Sequence, residues 1–199
     1  MGVAIVSGFK GGSLERVQAD GGEDEIHTPP ALARQLLAAV DGIEEGASFL
    51  DPFKGFGAFL NAWLDAGGDP ASADFAEINE GRDFFKWPLD EGRDWVISNP
   101  PFSRLNDIIK HTADIAEVGF AYILPLYALT PLRQMLADDA GWRISQMIFF
   151  KNPTEWRLGF PMALIVWGRK SAPLSSRPFV TIGQNKAQQT KLIMGGDLQ

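Results

Sequence analysis

Ser98-Asn99-Pro100-Pro101-Phe102 is the stretch on which the reading of this chain turns. It follows a short apolar run, Trp95-Val96-Ile97, with the length and composition of a buried strand. Two consecutive prolines donate no ladder hydrogen bonds, and the first restricts Asn99 to an extended conformation. The strand therefore stops at Asn99, with a stiff turn and an aromatic ring beyond it. A carboxamide fixed there offers an acceptor oxygen and a donor amine in set directions, and the prolyl carbonyls add acceptors. Such a strand end suits a planar group that carries an amino function. The same five residues also read as a plain strand end with a proline turn, so the flanking sequence has to decide.

Upstream, residues 47–51 read as a strand, Asp51-Pro52-Phe53-Lys54-Gly55-Phe56-Gly57 as a turn, and residues 58–64 as a helix. Gly55 and Gly57 permit a tight turn and close approach to a ligand. Phe59 and Leu60 stand where the dinucleotide fingerprint would continue to its third glycine. The loop also opens on a carboxylate, which disfavours a pyrophosphate and suits a zwitterionic or cationic ligand. A second strand over 73–78 carries Glu77 at its end, a side chain able to accept from both hydroxyls of a ribose. Asp83 could accept from an adenine amine, with Phe84 or Phe85 against the ring. Taken singly, Glu77 and Asp83 read equally as surface charges.

The rest of the chain alternates. Thr28-Pro29-Pro30 starts a helix with Thr28 as its cap, and Leu32, Leu36, Leu37 and Val40 recur at helical spacing before Gly42. Downstream the pattern predicts a helix over 105–118, a strand over 120–124, a helix over 130–138, and strands over 142–150 and 162–167. The last two are joined by too few residues for a crossover helix, so they pair antiparallel. A short strand is expected over 179–182. The result is an α/β fold with a doubly wound, mostly parallel sheet and a C-terminal antiparallel hairpin. Ligands of such sheets bind at the carboxyl ends of the strands, so Asp51, Glu77, Asp83 and Asn99 line one rim. Residues 1–22 read as a flexible arm whose glycines miss the P-loop spacing, residues 23–170 as the domain, and 171–199 as a tail.

Composition sets the outer bounds. A chain of 199 residues, 45% hydrophobic and 22% charged, fits one soluble domain. It has no cysteine, hence no disulfide or thiolate site, and its two histidines, His27 and His111, are far apart, so no metal is expected. No run has the length of a membrane span and no signal sequence opens the chain, so a cytoplasmic protein without a membrane partner is expected. The net charge of −7 sits poorly with a protein that grips nucleic acid alone. Six tryptophans and fourteen phenylalanines supply rings that can stack on bases.

Together these motifs resemble those of the S-adenosylmethionine-dependent amino-methyltransferases, and most of all the DNA adenine-N6 methyltransferases, including the small versions carried by phages. The likeness runs from about Asp24 to Lys170 and rests on Asp-Pro-Phe-x-Gly-x-Gly, an acidic end to the next strand, and Asn-Pro-Pro-Phe, in that order. It implies a Rossmann-like class I methyltransferase sheet and S-adenosylmethionine as cofactor. It also implies that Asp51, Phe53, Gly55 and Gly57 surround the amino-acid part of the cofactor, with Thr28 and Pro29 nearby. Glu77 would bind the ribose, and Asp83 with Phe84 the adenine. Asn99 and the Pro100 carbonyl would hold the substrate amine, and Phe102 would stack on the target ring, with the base flipped out of a duplex. Pro101, Arg104, Lys151, Trp156 and Arg157 complete the expected substrate side, Trp156 as a second wall and the cations on phosphates. DNA is the first expected partner, with RNA bases and a protein glutamine as other amine acceptors. About 30 residues follow Lys170, too few for a separate recognition domain, and the link from Glu77 to Asp94 is short for the family. A reduced fold, low sequence specificity or a partner subunit would each account for this.

Overall fold

Short apolar runs punctuated by glycine and proline assemble here into one sheet. The structure is a computed structural model and describes residues 26–173 and 175–183; the arm expected over 1–22 lies outside them. The strands are β1 (Phe49–Asp51), β2 (Ala73–Phe75), β3 (Arg93–Ser98), β4 (Ala116–Pro125), β5 (Trp142–Phe149), β6 (Met162–Arg169) and β7 (Phe179–Thr181). Their order is β2-β1-β3-β4-β6-β5-β7. β2, β1, β3 and β4 run parallel. β6 enters antiparallel between β4 and β5, and β7 lies parallel on the β5 edge.

Among the described residues four α-helices cover the sheet: α1 (Pro30–Ala39), α2 (Ala58–Asp65), α3 (Leu105–Ile115) and α4 (Pro131–Asp139). Trp95 to Ser98 of β3 and Phe120 to Leu124 of β4 are all buried, as strands covered on both faces must be. Alternation splits their side chains between two cores. Val96, Phe120 and Tyr122 pack with the α3 stripe of Leu105, Ile108 and Ile109, which is spaced to lie on one helix face. Ile97, Ala121 and Ile123 pack instead with Leu36 and Leu37 of α1 and with Phe59 and Trp63 of α2.

Most boundaries shift by a residue or two from the sequence reading, and three of the differences shape the rim and the sheet. Thr28 does not cap α1: the cap position is Pro29, which makes no side-chain capping bond, because consecutive prolines move the start one residue on. The predicted helix over 105–118 stops at Ile115, where Ala116 turns extended and pairs with Arg93 of β3. The second strand ends at Phe75, and the chain then makes two 3₁₀ turns, Ile78–Glu80 and Phe84–Lys86. No α-helix separates β2 from β3, and turns lie beyond the carboxyl ends of β1, β2 and β3 on a shared rim.

Candidate active site

Asp51 ends β1 and Ser98 ends β3, and the two meet in the core. The Ser98 hydroxyl donates to Asp51 Oδ1 at 2.6 Å, with both residues buried. Burial raises the Asp51 carboxyl from 3.8 to about 6, partly offset by the Ser98 hydroxyl and by backbone N–H groups of Phe53 and Leu60, while the nearby Glu77 charge adds to the rise. Glu77 ties the rim together. Its Oε2 accepts from Gly55 N–H at 2.9 Å and its Oε1 from Asn79 N–H at 3.1 Å. Gly55 holds this position at φ +49°, and a Cβ there would stand 3.2 Å from His27 Nδ1, so both conformation and space call for glycine.

Beside these groups Asn99 is held at one end. Its Nδ2–H donates to the Ile26 carbonyl at 2.6 Å; its Oδ1 is buried with no hydrogen-bond partner. Thr28 Oγ1 is a second buried oxygen without a partner. Both residues belong to the wall of a cavity of about 440 Å³, within the size range of small-molecule sites.

The cavity brings together Thr28, Asp51, Phe53, Gly55, Glu77, Asp83 and Phe84 with Asn99, Pro100, Pro101, Phe102 and Arg104. Five sequence-selected residues are not on its wall. Pro29 caps α1, and Gly57 starts α2 in the left-handed region. Lys151 and Arg157 are exposed on the β5–β6 loop. Trp156, expected as a second wall for a base, packs inward: it is 8% exposed, lies edge-on to Phe150, and donates its indole N–H to the His27 carbonyl at 2.8 Å. An indole that buries its ring and finds an acceptor has little reason to turn outward. Arg104 is also engaged, stacked 3.9 Å over the Phe85 ring and 3.5 Å from Asp107. Asp83 caps its own turn by accepting from Phe85 N–H at 3.1 Å.

The sequence reading did not select Ser98, Ile26, His27, Phe56 or Asn79. Ser98 carried a signal, a hydroxyl closing the apolar run Trp95-Val96-Ile97 beside Asn99. His27 and Phe56 carried none, since their stacking at 3.9 Å joins segments that only the fold brings together. Among the described residues no helix is long and apolar enough to cross a membrane, and no three acidic or imidazole side chains converge as a metal site.

The fold finds its match in solved structures. A protein of Listeria monocytogenes assigned as a class I S-adenosylmethionine-dependent methyltransferase superposes with a TM-score of 0.58 over 83% of this chain and 68% of its own, at 12% identity. The fold is that of the class I methyltransferases. A modification subunit assigned to a type I restriction enzyme of Vibrio vulnificus shares this methyltransferase fold with a TM-score of 0.58, at 13% identity, over 93% of this chain and 56% of that subunit. In sequence, a Type II methyltransferase of Thermus thermophilus is 29% identical over an alignment of 98 residues, with 43% of this chain and 23% of that enzyme's length covered. No protein-family model matches the chain.

Proposed function

We propose that this chain is an S-adenosylmethionine-dependent methyltransferase acting on an exocyclic amino nitrogen, with adenine N6 of DNA as the substrate. The observation that carries the reading is Asn99 Oδ1, a buried acceptor without a partner at the end of β3. Leaving such an atom unpaired costs roughly 1–3 kcal/mol, and an entering amine would restore the bond. The methyltransferase fold and the sequence likeness to a Type II methyltransferase support the same reaction class. Residues 23–170 are read as the catalytic unit.

The residues present fit the cofactor. Asp51, Glu77 and Asp83 present carboxylates around one cavity, suited to a ligand with an ammonium, ribose hydroxyls and an adenine amine. Phe53 and Phe84, 5.2 Å apart and edge to face, supply apolar surface for a purine. Thr28 Oγ1 offers one further unsatisfied hydroxyl. When bound, S-adenosylmethionine supplies an electrophilic sulfonium methyl. The chain's part is to hold the acceptor. Asn99 Oδ1 and the Pro100 carbonyl accept the two amine N–H groups, which leaves the nitrogen lone pair directed at the methyl. Phe102 stacks on the base. The alkylated nitrogen is cationic and releases a proton to water, so no strong base is needed; positioning and electrostatics carry the rate.

The net charge of −7 favours a second reading, in which the chain binds cofactor and a partner supplies the contacts to nucleic acid. Transfer of labelled methyl to DNA, RNA and protein, followed by nucleoside analysis, separates the two. N6-methyladenine in DNA is expected from the wild type alone. Asn99→Ala is expected to lower kcat by about 10²–10³-fold with cofactor affinity retained. Bound cofactor without transfer to any amine, with or without a partner, would refute the enzyme reading.

A further inference from the structure

Trp156 reaches the site by an indirect route. Its indole N–H donates to the His27 carbonyl at 2.8 Å, and the adjacent Ile26 carbonyl accepts Asn99 Nδ2–H at 2.6 Å. The His27 ring stacks on Phe56 at 3.9 Å. The Ile26–His27 segment is thus pinned at three points, and one of them is the carboxamide of Asn99.

A carboxamide has two orientations about its terminal torsion, and they exchange its oxygen and its amine. The Ile26 carbonyl can only accept, so it draws the amine to itself and leaves Oδ1 for another donor. The flipped orientation would set two oxygens against each other and offer an N–H to an incoming amine that is itself a donor. A neutral hydrogen bond is worth about 1 kcal/mol, so this selection is only as firm as the placement of the Ile26 carbonyl. Trp156 anchors the next carbonyl along, from an indole that is itself packed into the core.

We propose that Trp156 is a positioning residue, which fixes the orientation of the Asn99 carboxamide through the Ile26–His27 segment and so makes Oδ1 an acceptor for the substrate amine. The inference rests on the reading of Asn99 given above. Trp156→Phe keeps a ring in the core and removes the donor. The Asn99 side-chain amide is followed by ¹H–¹⁵N spectroscopy of the full chain, its signal assigned as the one lost in Asn99→Ala. In the wild type one amide proton is expected to be shifted downfield and protected from exchange by the Ile26 carbonyl. In Trp156→Phe that protection is expected to fall, with kcat lowered roughly 10- to 100-fold and cofactor affinity unchanged. Unchanged protection, or lost protection with unchanged kcat, overturns the proposal. Should Trp156→Phe not fold, the wild type carries the test: hydrogen exchange of the Trp156 indole N–H, which donates to the His27 carbonyl, is followed beside that of the Asn99 amide, and the two are expected to be protected together because one segment holds both. An unprotected indole N–H, or an Asn99 amide that exchanges independently of it, overturns the proposal as well. An inactive wild type would remove the functional reading, whereas the amide signal reports on the clamp whether or not turnover is seen.

Discussion

Asp51→Asn should make the ligand-free protein more stable at neutral pH and no more stable in acid. Asp51 is 1% exposed, and its carboxyl is raised from 3.8 to about 6, chiefly by burial. Each pH unit of difference is about 1.4 kcal/mol, so ionising Asp51 in the folded protein costs about 3 kcal/mol more than in the unfolded chain. The sign follows from linkage: the fold binds this proton more tightly than the unfolded chain does. That contribution to stability is fully present below about pH 4 and is lost as the pH rises through about 6. Asparagine imitates the protonated form and can still accept from Ser98 at the 2.6 Å contact. The stability gap between variant and wild type should therefore be near zero below about pH 4 and about 3 kcal/mol at pH 8. Urea unfolding at several pH values, read by tryptophan fluorescence, measures the gap. A gap that does not change with pH, or a variant less stable than wild type at pH 8, would refute the reasoning. A cationic ligand that prefers the ionised carboxylate should narrow the gap by binding linkage.

Two further outcomes are expected. Glu77→Gln leaves one oxygen to serve both Gly55 N–H and Asn79 N–H and weakens any bond to ribose hydroxyls; cofactor affinity by calorimetry should fall about tenfold, in line with the loss of a charged hydrogen bond, and unchanged affinity would remove Glu77 from the site. Gly119→Ala should destabilise the fold by roughly 1–3 kcal/mol or more, because its Cβ would lie 2.4 Å from the Trp95 ring across the β3–β4 pair; denaturant midpoints check this.

Local sequence settled what local physics governs. The prolines after Asn99 stop β3 at Ser98, the apolar runs mark β4, β5 and β6, and the short β5–β6 link forces an antiparallel pair. The parallel strand-and-helix alternation then placed Asp51, Glu77, Asp83 and Asn99 on one cavity, since parallel strands send all their carboxyl ends to the same edge. What local sequence missed came from competition between distant segments. Helical periodicity runs past Ile115, yet pairing with β3 claims Ala116 for the sheet. Trp156 carries the composition of a base-stacking residue, yet the Ile26–His27 segment supplies its acceptor from 129 positions away. Sequence alone thus determined that this chain carries an amide at a rigid strand end beside an acidic rim. Tertiary structure alone decided which way that amide is held, because the Ile26 carbonyl that meets Asn99 is brought there by the packing of α1 against the sheet and leaves no trace in spacing or periodicity.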